Sequence, residues 1–337
     1  MRKLFLVFVV AASLLMSAGA GLAAQWANPD ILVTPETVEQ NIMKADWVVV
    51  DCRKLEDYAK GHIPGAISLG KPCKKALRDA TSRAFTSAAK YDSMLGKAGI
   101  GSDKHVVFYG DAKTKSMDSA HIAFWVLEYL GHDKTHLLND GLEGWVASGK
   151  KLDAAPTIKP AATFKTKFVR SRIATTDEVL KIAKGQVKGV QVVDARTKGE
   201  YEGTDIRSVR GGRIPHTTIH VSDKDTYDKV LDPKTGKKTK MTWIISPDTV
   251  APLYASLDKN KRTIGYCQTG SRSTLTYMEL RLLGFKDPAN YDDSWIVWGA
   301  SDKFPIEAES RIDLSRVKKL EDALKKLEEK LKKAEDH

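Results

Sequence analysis

The stretch VVVDCRKLEDYAKGHIPGAISL, residues 48–69, returns in altered form as QVVDARTKGEY at 191–201 and GRIPHTTIH at 212–220. Other matches follow in the same order. VVFYGD at 106–111 returns as TIGYCQ at 263–268, LEYLGH at 127–132 as LRLLGF at 280–285, and LNDGLEGW at 138–145 as YDDSWIVW at 291–298. The spacing grows from 143 to about 157 residues, as loops of unequal length require. A period this long in one order reads as two homologous domains rather than a solenoid. Short β-branched runs alternate with helical patterns, such as Ser119–Leu130 and Ser273–Leu283. Such alternation predicts an α/β fold, each domain a parallel sheet flanked by helices. Gly131 and Gly284 each follow a helix, where a left-handed cap suits glycine.

The 337 residues divide accordingly. Residues 1–24 read as a secretory signal: Arg2 and Lys3, an apolar run from Leu4 to Met16, then small residues to Ala24. An uncut membrane anchor is the lesser alternative, because the run is short for a span. A cleaved signal implies a periplasmic or otherwise exported protein. The first domain is expected over 25–150 and the second over 169–310. A linker rich in Ala, Pro and Lys joins them over 151–168. Residues 311–337 form a charged amphipathic helix. Its Val317, Leu320, Leu324, Leu327 and Leu331 repeat at heptad spacing for about two heptads. That seam suits the helix's own domain, a second chain in an oligomer, or a redox partner. The net charge of +11 reads as that of a basic soluble protein with some attraction for anions. No nucleic-acid motif accompanies it.

Three cysteines, Cys52, Cys73 and Cys267, leave at least one unpaired in an exported chain. Cys52 and Cys73 are read as two small buried residues, although a disulfide is open to them. Cys267 follows the strand Arg262–Tyr266 and precedes a helix that starts near Ser273. Gln268, Thr269, Gly270, Ser271 and Arg272 lie between. This layout puts backbone amides, a helix start and a guanidinium around one sulfur, all favouring the thiolate. Gly270 permits the tight path, and Thr269, Ser271 and Ser273 offer hydroxyl donors. Four residues separate Cys267 from Arg272; a phosphate-wrapping cysteine phosphatase loop has five, so phosphate is the worse fit.

Two copies of D-x-R…GHIPG, a C-x-x-G-x-R loop and YDDSWIVWG together resemble the tandem-domain rhodaneses, thiosulfate sulfurtransferases, over about residues 30–307. The resemblance implies an enzyme with one catalytic cysteine, in the second domain. It implies a persulfide on Cys267, loaded from thiosulfate and unloaded to cyanide or a thiol. No metal or organic cofactor is implied. Arg272 is expected to bind the sulfonate-like end of the donor. Asp111 aligns with Cys267, so the first half is expected to be inactive. The chain departs from vertebrate-type relatives at Glu200, where they carry an arginine that contacts the donor. Arg196 or Lys198 is the candidate to compensate, although Arg196 is expected to pair with Asp194. The loop lacks the Ser-Gly-Val-Thr run of mercaptopyruvate-using relatives, which favours thiosulfate. The alternatives are mercaptopyruvate as donor, or a non-turnover sulfur or selenium carrier serving a redox assembly.

Overall fold

The computed structural model describes residues 25–78, 85–227, 230–231, 238–239, 245–312 and 314–335. The first domain contains β1 (Leu32–Val33), β2 (Trp47–Asp51), β3 (Ile67–Ser68), β4 (His105–Tyr109) and β5 (Thr135–Leu138). All pair in parallel, in the order β1-β5-β4-β2-β3. The second contains β6 (Ile173–Ala174), β7 (Gln191–Asp194), β8 (Arg210–Arg213), β9 (Ile219–His220), β10 (Val230–Leu231), β11 (Lys238–Thr239), β12 (Arg262–Tyr266), β13 (Asp287–Tyr291) and β14 (Glu307–Arg311). Five of these repeat the first pattern as β6-β13-β12-β7-β9, again all parallel. The pairs β8–β14 and β10–β11 are antiparallel additions. The buried runs Val48–Val50 and Val106–Phe108 show why: strands covered on both faces need continuous apolar residues, not alternation.

Local chemistry sets the helix starts. Thr34 Oγ1 and Thr175 Oγ1 accept the amides of Thr37 and Glu178, each at 3.2 Å. Gly131 and Gly284 take φ of +87° and +84° beyond their helices.

The domains meet through the helices Met117–Tyr129 and Ser273–Leu282, which occupy equivalent places in the two repeats. Phe124 faces its counterpart Tyr277 at 6.3 Å between ring centres. Glu128 pairs with its counterpart Arg281 at 2.9 Å, and Tyr277 donates to the same carboxylate. The segment 151–168 is less a free tether than a strap. Thr157 N–H donates to Tyr58 Oη, Ala162 N–H to the carbonyl of Gly96, and Lys167 N–H to that of Leu130. Phe164 is buried at its centre.

Two expectations need correction or completion. Cys52 and Cys73 are joined as a disulfide, their Cα atoms 4.8 Å apart, rather than lying as two free buried residues. Strand β2 and the start of the helix Cys73–Leu77 bring them within bonding reach, which a spacing of 21 residues did not reveal. The terminal helix Leu314–Glu335 keeps Leu320, Leu324, Leu327 and Leu331 more than half exposed, so its seam does not pack on its own domain. No helix of the described residues is long and apolar enough to cross a membrane. The signal reading falls on residues 1–24, outside the described residues.

Candidate active site

Cys267 leaves the carboxyl end of β12, the edge at which open α/β sheets bind ligands. It is the free cysteine among the described residues and is fully buried. Its amide donates to Ser294 Oγ at 3.1 Å, and its carbonyl accepts from Trp295 at 3.0 Å. Gln268 is held at both ends, its carbonyl by Ile296 N–H at 2.9 Å and its Nε2 by the carbonyl of Arg207 at 2.7 Å. The loop is therefore anchored along the turn after β13. Ser294 takes φ of +50°, an unfavourable region for a residue with a side chain. Its hydroxyl donates to the carbonyl of Tyr291 at 2.7 Å while receiving the Cys267 amide, and the two bonds hold it there.

Gly270 closes the loop at φ +72°. A Cβ there would lie 2.3 Å from the carbonyl oxygen of Asp292, so the position demands glycine for space as well as conformation. Ser273 starts the following helix, but its hydroxyl donates to Asn290 Oδ1 at 2.6 Å. Thr269 is exposed at the loop rim.

Arg272 is not an open fork. Its two terminal nitrogens hold the Glu200 carboxylate at 3.0 and 2.8 Å, and Asp223 lies 3.5 Å away. Burial would lower the guanidinium's affinity for its proton. The Glu200 hydrogen bond, the neighbouring Cys267 sulfur, and the charges of Glu200 and Asp223 more than offset this and raise it. Glu200 is almost wholly buried. Burial pushes its carboxyl up, but Arg272 and the Thr197 amide bring it down to about 2. It also completes a capping box with Thr197 at the start of the helix Lys198–Glu202. The departure at position 200 thus has a local explanation: the acid is the counter-ion of the loop arginine. Lys198 points to solvent and meets Glu202 at 3.7 Å, so it does not join the site. Arg196 pairs with Asp194 at 2.6 Å, donates to the carbonyl of Gly212 and lies 4.2 Å from the Trp295 ring centre. Arg53 repeats this arrangement with Asp51 and Gly61, which marks the shared D-x-R as structural.

The first domain's equivalent loop contains no cysteine, and its counterpart of Cys267 is not the expected residue. Leu142 N–H donates to the carbonyl of Gly110 as Trp295 N–H does to that of Cys267. Gly110, not Asp111, is the structural counterpart of Cys267. A Cβ on Gly110 would fall 2.5 Å from Ser116 backbone, so the loop has closed over the place where a cysteine would stand. Asp111 comes one residue later, 3.5 Å from Arg53 and hydrogen-bonded by Thr114.

Sequence reasoning did not single out Ser294, Asn290, Asp292 or Asp223. The first three lie in or beside YDDSW, whose recurrence was visible although its role was not. Arg78, in the first domain, also reaches this loop: it pairs with Asp292 and donates to Ser271 Oγ at 3.1 Å.

The family profile described as rhodanese-like domain matches residues 34–148 and 175–301. A thiosulfate sulfurtransferase of Corynebacterium glutamicum is 31% identical over 297 residues, covering 84% of this chain and 92% of that protein. Among solved structures, a 3-mercaptopyruvate sulfotransferase of Escherichia coli superposes with a TM-score of 0.62 at 22% identity, over 79% of this chain and 98% of that one. An anaerobic ergothioneine biosynthesis enzyme of Chlorobium limicola gives 0.68 at 20% identity, over 84% of this chain and 71% of that one. With two such domains in the order the repeat implies and a cysteine loop in the second alone, the chain belongs to the rhodanese family of sulfurtransferases.

Proposed function

We propose that this protein is an exported thiosulfate sulfurtransferase that carries sulfur as a persulfide on Cys267. The observation that carries this reading is the seating of Cys267 at the end of β12, in a six-residue loop closed by Arg272 and followed by a helix start. The Cys267 thiolate attacks the outer sulfur of thiosulfate. The sulfur–sulfur bond of the donor breaks and sulfite departs with its electron pair. Cyanide or a thiolate then attacks the outer sulfur of the persulfide, and the Cys267 thiolate is released. The loop amides and the helix start stabilise the anionic sulfur throughout. Because Glu200 occupies the Arg272 fork, Arg272 acts on the charge of the cysteine sulfur rather than as a free sulfonate clamp. Burial of Cys267 keeps bulk water from the persulfide.

The test is turnover of thiosulfate and cyanide to thiocyanate and sulfite, with mercaptopyruvate as the competing donor. Cys267→Ser should reduce it to background, and mass spectrometry of the loaded wild type should show one extra sulfur on Cys267. Turnover persisting in the variant rejects the assignment. Export rests on the Arg2–Ala24 pattern, and its check is the N-terminus of the mature protein. The exposed leucine face of the helix Leu314–Glu335 supports a helix-mediated oligomer or a docked redox partner.

A further inference from the structure

Loop 267–272 is gripped from two sides. Ser294, Trp295 and Ile296 hold it from within its own domain. From the other domain comes Arg78, which follows the helix Cys73–Leu77 and is nearly buried. One terminal nitrogen of Arg78 pairs with Asp292, and the other donates to Ser271 Oγ at 3.1 Å, contacts that span 214 and 193 residues of sequence. Both partners belong to the cysteine's surroundings. Ser271 is in the loop, and Asp292 is the residue against which Gly270 is packed so closely that no side chain fits. A guanidinium has a fixed planar fork, so gripping both acceptors fixes their separation. It therefore fixes the curvature of the loop between Gly270 and Arg272. Accepting from Arg78 also leaves the Ser271 hydroxyl proton as the group it can donate elsewhere.

We propose that Arg78 is a positioning residue through which the cysteine-free first domain holds loop 267–272 in the shape that receives and keeps sulfur on Cys267. The inference rests on the sulfurtransferase reading for its chemistry but not for its geometry. It assigns the first domain a part in the reaction that the loss of its own cysteine does not cancel. Loop curvature sets where the amides stand relative to the cysteine sulfur, and displacements of an ångström at such a centre change rates by large factors.

The experiment compares wild type with Arg78→Gln, which removes the charge, and Arg78→Lys, which keeps the charge but loses the fork. Three readouts are taken on the folded full-length protein: kcat and KM for thiosulfate with saturating cyanide, the rate of persulfide formation in a single turnover, and the rate of Cys267 alkylation by iodoacetamide. Arg78→Gln is expected to lower kcat and the loading rate about tenfold or more with a much smaller change in KM. The alkylation rate should shift with them, and Arg78→Lys should recover only part of each. Adding Ser271→Ala to Arg78→Gln should cost little more than Arg78→Gln alone, because the contact between the two residues is already broken. A residue that merely glues the domains together would lower the melting temperature while leaving kcat, KM and alkylation per folded molecule unchanged, and that outcome overturns the proposal. Should Arg78→Gln not fold, Arg78→Lys carries the same comparison, and wild-type constants in it overturn the proposal equally. Alkylation separates this failure from the other one. If wild type itself transfers no sulfur, the functional reading falls, whereas altered alkylation in the variants still upholds the positioning by Arg78.

Discussion

Glu200 shows how one side chain can tie the cysteine loop to acid stability. Its carboxyl sits at about 2 in the folded protein against an ordinary 4.5, with burial opposing and Arg272 and Thr197 outweighing it. A carboxyl depressed by folding adds stability that is complete above its unfolded value and disappears as pH falls toward the folded one. The window is therefore about pH 4.5 down to 2, and the amount is on the order of 3 kcal/mol. Denaturant midpoints of wild type should fall across that window, and Glu200→Gln should flatten the fall. The same variant should be less stable at pH 7, because Arg272 is left mostly buried without its closest partner. Parallel curves for the two proteins would refute the linkage. At this scale Cys267, Gly270 and Arg272 were legible in the sequence, because one short loop must bring thiol, tight turn and cation together. The partners Glu200, Asp223 and Arg78 were not: no periodicity connects Glu200 and Asp223 to a loop they meet only when their own domain folds, and Arg78 reaches it from the other domain.

The helix Cys73–Leu77 is too short to persist by itself and is pinned at several points. The Cys52–Cys73 disulfide ties its first residue to the end of β2. The amide of Lys74 donates to Ser119 Oγ at 2.9 Å, and the carbonyl of Leu77 accepts from Tyr91 Oη at 2.6 Å. Arg78 is the next residue along. Closing a loop of about this length is worth about 3 kcal/mol. Cys52→Ala with Cys73→Ala should lower stability by that order, read by denaturant unfolding, and should slow persulfide loading as Arg78 loses its footing. Lost stability with unaltered loading would mean that the other pins suffice. The parallel sheets and most helix positions could be anticipated, because continuous apolar strands and caps such as Thr34 and Thr175 are local signals. The added pair β8–β14 could not. Arg210–Arg213 and Glu307–Arg311 carry no alternating apolar pattern and are held by ion pairs such as Arg213–Glu307 at 3.2 Å.

Across the whole molecule, the repeat predicted two similar bodies but not how they face one another. Equivalent helices meet, so equivalent residues meet: Phe124 with Tyr277 and Glu128 with Arg281. In an isologous dimer of identical subunits the same amino acid must stand on both sides of the axis. Glutamate would then oppose glutamate, or arginine would oppose arginine, at a half-buried place where like charges repel strongly. A fused chain escapes that symmetry and can place acid on one half and base on the other. Halves produced as separate polypeptides, divided near Lys167, should accordingly form a mixed pair on size-exclusion chromatography and shun self-association, whereas Glu128→Arg in the first half should abolish the mixed pair. Joining the halves end to end thus let them become complementary strangers, one keeping the sulfur chemistry and the other free to specialise as its counterpart.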